Sequence, residues 1–168
     1  MNKFYSLVFL GFLIMFLGCS PTPEQASKYN NALIKEQRAV VSKMDELIAS
    51  FNTYNSQRMH QAYNALLNQI NQSIAHVSKM QGFDGSTAFR DSTLSLLRFY
   101  KAITTTELRT VMELLSKPED KYTASDAKRV AELMSDLSQK VAAENQRYRQ
   151  FQEKFAKKYK LNLTLKEE

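Results

Sequence analysis

From Glu24 onward, apolar residues recur every three or four positions, the spacing of one face of an α-helix. A first seam runs through Ala26, Leu33, Val40, Met44, Leu47 and Phe51, and a second through Met59, Ala62, Leu66, Ile70, Ile74, Val77 and Met80. The stretch FNTYNS, Phe51 to Ser56, separates them and is rich in weak helix formers. A turn there predicts two similar helices, where an unbroken helix would outrun every partner. At GFDGS, Gly82 to Ser86, the pattern stops: Gly82 is expected in left-handed geometry, with Asp84 or Ser86 capping the next helix. The third seam holds Phe89, Leu96, Leu97, Tyr100, Ile103, Leu108, Val111, Leu114 and Leu115, and Pro118 ends it. Thr123 and Asp126 form a capping box for the fourth helix. Its seam is Ala127, Val130, Met134, Leu137, Val141, Tyr148, Phe151, Phe155 and Tyr159, with an end near Lys160. Four elements of similar length, each with one stripe and short connections, predict an all-α chain folded as an antiparallel up-down four-helix bundle.

Composition agrees with long helices. Beyond the first 23 residues only Gly82, Gly85 and Pro118 punctuate the chain, too few turn residues for a sheet protein. The formal charge of +6 comes from 23 basic and 17 acidic residues with interleaved signs. Such a balance describes a solvated helical surface that tolerates an anionic partner. The single cysteine excludes an internal disulfide.

That cysteine changes the picture through its neighbours. Lys3 precedes an apolar run from Phe4 to Leu17, about fourteen residues where a membrane span needs about 20. The polar SPTPEQ follows at once, which suits the core of a cleaved export signal better than a permanent anchor. Gly18 directly before Cys19 resembles a bacterial lipoprotein signal, in which the cysteine is lipidated and begins the mature chain. Phe16 and Leu17 depart from the usual residues of that pattern. The expected division is a signal peptide over 1–18, a lipidated Cys19 and tether over 19–23, a helical domain over 24–160 and a polar tail over 161–168. Each proline of the tether biases its predecessor to extended geometry. Ser20, rather than an acidic residue, after the cysteine points by analogy to the outer membrane.

Candidate chemistry adds little. A di-iron bundle needs Glu-x-x-His, yet Gln57 precedes His60 and Ser73 precedes His76 at that spacing. C-x-x-C-H, G-x-S-x-G and a glycine-rich phosphate loop are absent from the sequence. A methionine–histidine haem site using Met44 or Met59 is weighed only against the ordinary role of methionine as core filler. Glu107 and Glu144 lie near the seams and could form a buried polar or metal pair, although such residues usually flank a stripe and reach water. No cofactor, metal or catalytic residue is therefore expected. RYRQFQEKFAKKYK, Arg147 to Lys160, interleaves basic and aromatic residues, and Arg147, Arg149, Lys154, Lys157, Lys158 and Lys160 make a candidate anionic-contact face. The aromatics repeat at helical spacing, so a core stripe under basic flanks is the plainer reading.

The exported cysteine, the segment KYNNALIKEQ, the block GFDGSTAFRDSTLSLLRFYK and the closing FAKKYK together resemble a family of small helical surface lipoproteins of spirochaete and Bacteroidetes type. The resemblance spans residues 24–160 and implies a place at the cell envelope and a helical domain, without an activity or functional residues. The expected function is that of a lipid-anchored, non-enzymatic envelope protein presenting its bundle for binding or structural contact. Its expected partners are the membrane, through the anchor, and a protein or anionic envelope component rather than nucleic acid. A periplasmic chaperone-like or stress-sensing role is the alternative, and a metal- or haem-binding bundle the third reading.

Overall fold

The first helix starts at a reciprocal cap. The Thr22 hydroxyl accepts from the Gln25 backbone N–H at 3.2 Å, and the Gln25 side chain accepts from the Thr22 N–H at 2.9 Å. Pro23 occupies the first turn, where its missing N–H costs nothing. In the computed structural model, which describes residues 20–162, α1 runs Pro23–Phe51 and α2 Ser56–Lys79. The FNTYNS turn lies between them as expected. Tyr54 takes a left-handed φ of 50°, and the Asn55 side chain caps α2 by accepting from Arg58 N–H at 2.9 Å.

The next connection differs from the expectation. Phe83 and Ser86 exchange two backbone hydrogen bonds, 2.8 and 3.0 Å, around Asp84 (φ 53°) and Gly85 (φ 71°). Two successive left-handed residues make the tight primed turn favoured by Asp-Gly. Gly82 is not left-handed. It is a glycine for room, since a Cβ there would stand 2.7 Å from the Ser86 carbonyl oxygen. Neither Asp84 nor Ser86 is the N-cap residue of the following helix, a place held by Thr87 without a side-chain cap bond.

That helix, α3, spans Ala88–Ile103 and passes without a break through a π-helical turn, Thr104–Leu108, into α4, Arg109–Leu115. Consecutive threonines explain the wide turn. Thr104 bonds back to the Tyr100 carbonyl at 2.7 Å, Thr105 to Lys101 at 3.0 Å and Thr106 to Ala102 at 2.8 Å. Hydroxyls that compete for helix carbonyls loosen the ladder and favour such a widening. Pro118 and a 3₁₀ turn, Glu119–Lys121, lead to α5, Ala124–Lys158. Here Thr123 and Asp126 form the expected capping box.

The described residues form an all-helical chain of four long rods, α3, the π turn and α4 acting as one. α1 packs along α2, α2 along α3 and α4, and α5 lies mainly against α3. The core is built from Leu33, Leu47, Leu66, Ile70, Leu97 and Leu108, all fully buried. Each such side chain contributes about 1.5–3 kcal/mol by leaving water. Burial is uneven among the rods. α5 supplies only Leu133, Leu137, Tyr148 and Ala156 as buried residues over 35 positions. Ala127 and Phe151, expected on its seam, are not in the core: both are exposed, whereas Leu133 takes a core place that the seam omitted. No helix among the described residues is long and apolar enough to cross a membrane.

Candidate functional site

Where α1 begins, α2 ends and α5 ends, aromatic rings meet. Tyr29 of α1 packs on Phe83 of the Asp-Gly turn (centroids 5.0 Å) and on Phe155 of α5 (5.8 Å). Phe83 meets the Tyr159 ring edge-on at 5.1 Å, and Phe89 of α3 lies 4.9 Å from Phe155. Such tilted and edge-to-face pairs suit the ring quadrupoles and fix the rings beyond simple burial. Between them opens a cup of about 230 Å³. Phe151 stands on its rim, 37 % exposed, one of two large apolar side chains that exposed among the described residues.

Two lysines complete the rim. Lys154 lies over the Phe151 ring, 5.8 Å from its centroid, and makes no ion pair among the described residues. Lys158 donates to Asp84 Oδ2 at 2.9 Å, and the Tyr159 hydroxyl donates to the same oxygen at 2.8 Å. The Lys158 hydrogen bond, seconded by Tyr159, holds the Asp84 carboxyl below its usual range. The Asp-Gly turn is thereby tied to the end of α5. The cup thus has apolar walls, aromatic faces and one cation without a carboxylate partner among the described residues, a constitution that accepts an amphipathic group bearing negative charge.

Helical spacing spreads the six basic residues of the candidate contact face around α5. At 100° per residue, Arg147, Phe151, Lys154 and Lys158 fall on one stripe of α5, while Arg149 lies nearly opposite. Arg147 reaches Glu144 at 3.7 Å, Lys154 and Lys158 line the cup, and Lys157 and Lys160, outside its lining, are exposed at the end of α5. Cys19, the candidate lipidation residue, lies outside the described residues.

A second constellation escaped sequence reading. The inward positions of α1 alternate in steps of four and three, and two members of that series are the polar Asn30 and Gln37. Asn30 Oδ1 accepts from Gln152 of α5 at 3.3 Å. The Tyr100 hydroxyl donates to Asn145 Oδ1 at 2.5 Å, and Gln37 also reaches it. Nearby, the Thr93 and Tyr148 hydroxyls are 3.2 Å apart. Burial pushes the Tyr148 phenol up to about 12. A run of side-chain hydrogen bonds thus joins α5 to α1 and α3 beside its apolar contacts, which include Leu133, Leu137 and Phe155. The signal was present as a gap in the Ala26–Leu33–Val40 seam, but polar residues at core spacing look like surface until their partners are known.

The remaining candidates separate. Glu107 pairs with Lys140 of α5 at 2.7 Å; burial pushes its carboxyl up, but hydrogen bonds from Lys140 and Thr106 outweigh this and hold it low. Glu144 pairs with Arg147 instead, so the two glutamates do not form a pair with each other. His76 contacts Glu36 at 2.7 Å on the surface of the α1–α2 pair, and His60 is exposed. Met44 and Met59 are buried in the apolar core. No group of three or more potential metal ligands occurs among the described residues. A more open depression of about 420 Å³ between α1 and α2 is lined by Ala49, Ser50, Ala62 and Ala65, with Glu46 and Arg58 among its other walls.

No family model matches this chain, and neither a curated protein nor a solved structure matches it.

Proposed function

We propose that the chain is a lipid-anchored, non-enzymatic protein of the bacterial cell envelope, held through Cys19 and presenting an antiparallel up-down four-helix bundle for binding or structural contact. One observation carries the anchored reading. A capped helix begins at Pro23, only four residues after the cysteine, so a folded domain stands directly behind a lipoprotein-like signal. The resemblance to small surface lipoproteins of spirochaete and Bacteroidetes type belongs to the same proposal. The antiparallel reading rests on the order of contacts. Along the third rod, Thr93, Tyr100 and Glu107 meet Tyr148, Asn145 and Lys140 of α5, one series rising as the other falls. Between α1 and α2, Tyr29 with Gln81 and Glu36 with His76 run the same way.

Several acyl chains on one cysteine anchor a domain stably where one chain gives only reversible binding. Growth of the source cells with a radiolabelled fatty acid should label the wild-type protein and leave Cys19→Ala unlabelled. A wild-type protein without label, or a variant that keeps it, would refute the anchor.

A further inference from the structure

The aromatic cup and the start of the chain's tether lie at the same end of the molecule. Tyr29, a wall of the cup, is two turns into α1, about 10 Å along its axis from Thr22. The four residues from Cys19 to Pro23 reach about 14 Å at most. Any bilayer that holds Cys19 therefore lies within about 25 Å of the cup, whereas the far end of α1 is about 43 Å from its start.

Chemistry at this end suits that neighbour. Tyr159 offers the amphipathic ring that settles at the level of lipid headgroups, and Phe151, with Phe83 behind, an apolar one for the headgroup–acyl boundary. Lys154, Lys157 and Lys160 make no ion pair among the described residues, and Lys158 adds its stem to the rim although its charge is met by Asp84. The distal end, from Lys117 to Asp126, carries Glu119, Asp120 and Asp126 against Lys117 and Lys121. Near the tether the basic residues outnumber the acidic Glu24, Asp84, Asp91 and Glu153, whereas this distal segment has a slight acidic excess.

We propose that the cup is the seat of the bundle on its own membrane: anionic phospholipid of the anchoring bilayer meets Lys154, Lys157 and Lys160, while Phe151 and Tyr159 enter the headgroup layer. The seat deepens the anchored reading and rests on it for proximity. It gives the bundle a defined posture, with the Tyr54 turn held away from the lipid. Attraction of this kind contributes about a fivefold gain in association per lysine near an anionic surface and fades beyond a Debye length of about 10 Å.

The absence of tryptophan from the chain permits a direct test. Phe151→Trp places a single fluorescent reporter on the rim, and Tyr54→Trp, in a separate variant, places one at the far turn, where Tyr54 is 73 % exposed. The full chain, purified from membranes and checked for acylation by mass spectrometry, is reconstituted into phosphatidylcholine vesicles with or without phosphatidylglycerol, both carrying brominated acyl chains. The rim reporter should emit at shorter wavelength and be quenched about twofold more than the far-turn reporter, and only with the anionic lipid. Adding Lys154→Glu, Lys157→Glu and Lys160→Glu together should return the rim reporter to the level of the far-turn one. These three side chains are exposed, so an unchanged helical signal and unfolding midpoint by circular dichroism would show that the fold survives. Acylated protein with equal quenching of the two reporters, or equal quenching of the rim reporter in the two lipid mixtures, overturns the seat and leaves the anchor. Quenching of the rim reporter in a chain without acyl mass overturns the anchor and supports the seat.

Discussion

Gly82 and Gly85 lie three residues apart in one turn and are glycines for different reasons. At Gly85 the backbone is left-handed, φ 71°, with open space where a Cβ would stand. At Gly82 the obstacle is the Ser86 carbonyl, fixed by the hairpin's own hydrogen bonds. Asparagine tolerates left-handed geometry, so Gly85→Asn should lower stability by less than about 1 kcal/mol. Gly82→Asn must push backbone aside and should cost about 1–3 kcal/mol. Urea unfolding of the two variants checks the order. Tyr148 carries a different signal. Its phenol is raised from 10.0 to about 12 by burial, so between those values the folded chain keeps a proton that the unfolded chain releases. Its contribution is complete below about pH 10 and is lost as pH rises towards 12. Tyr29 and Tyr100 are shifted in the same direction, also chiefly by burial. Tyr148→Phe should therefore flatten, without abolishing, the alkaline fall in stability, which is measured by thermal unfolding between about pH 9 and 12.

Helix ends were largely written in the local sequence. Thr22 with Gln25 and Thr123 with Asp126 are capping boxes that need only their own four residues to form. At the second box, hydrogen bonds from Lys117 and from the Thr123 backbone lower the Asp126 carboxyl to about 2. A lowered carboxylate stabilises above the unfolded value near 3.8, and that contribution disappears as pH falls towards 2. Asp126→Asn should accordingly weaken the acid dependence of unfolding followed by circular dichroism. Thr123→Ala should cost about 0.5–2 kcal/mol at neutral pH, the usual value of a lost cap. The π turn is less legible. Three successive threonines signal a weak helix, but a threonine run fits a turn or a strand as well. Only the continuation of α3 into α4 reveals the hydroxyls bonding back into one widened helix.

Across the whole molecule, stability should be distributed unevenly. α1, α2 and α3 share most of the apolar core, whereas α5 gives four buried residues, packs Val130, Met134, Val141 and Phe155 only half-buried, and joins α1 and α3 also through the Asn30–Gln152 and Tyr100–Asn145 hydrogen bonds. Hydrogen bonds exchanged against water contribute about 1 kcal/mol each, less than a buried leucine. Amides in the middle of α5 should therefore exchange with solvent faster than those of α1 and α3 in native-state hydrogen exchange. Equal protection in all rods would show that α5 is as firmly held as the others. Polar groups at core spacing also disfavour slipped packings, because a shift of one turn would bury Asn30 or Gln37 without its partner.

Much of this was readable from the chain alone, because it depends on short-range spacing. The seams, the turns at FNTYNS and GFDGS, the stop at Pro118 and the Thr123–Asp126 capping box all involve residues a few positions apart; the Thr22–Gln25 box has the same spacing, but the prolines around it read as tether. Tertiary structure decided what required distant segments to meet. It withdrew Ala127 and Phe151 from the core, turned the polar gaps of α1 into inward contacts and separated Glu107 from Glu144. The cup is the fullest case. Tyr29, Phe83, Phe89 and Phe155 come from three helices and a turn, and no periodicity within one segment can announce that they will share a wall. Helical spacing says which residues share a face of one helix; only packing says what that face will touch.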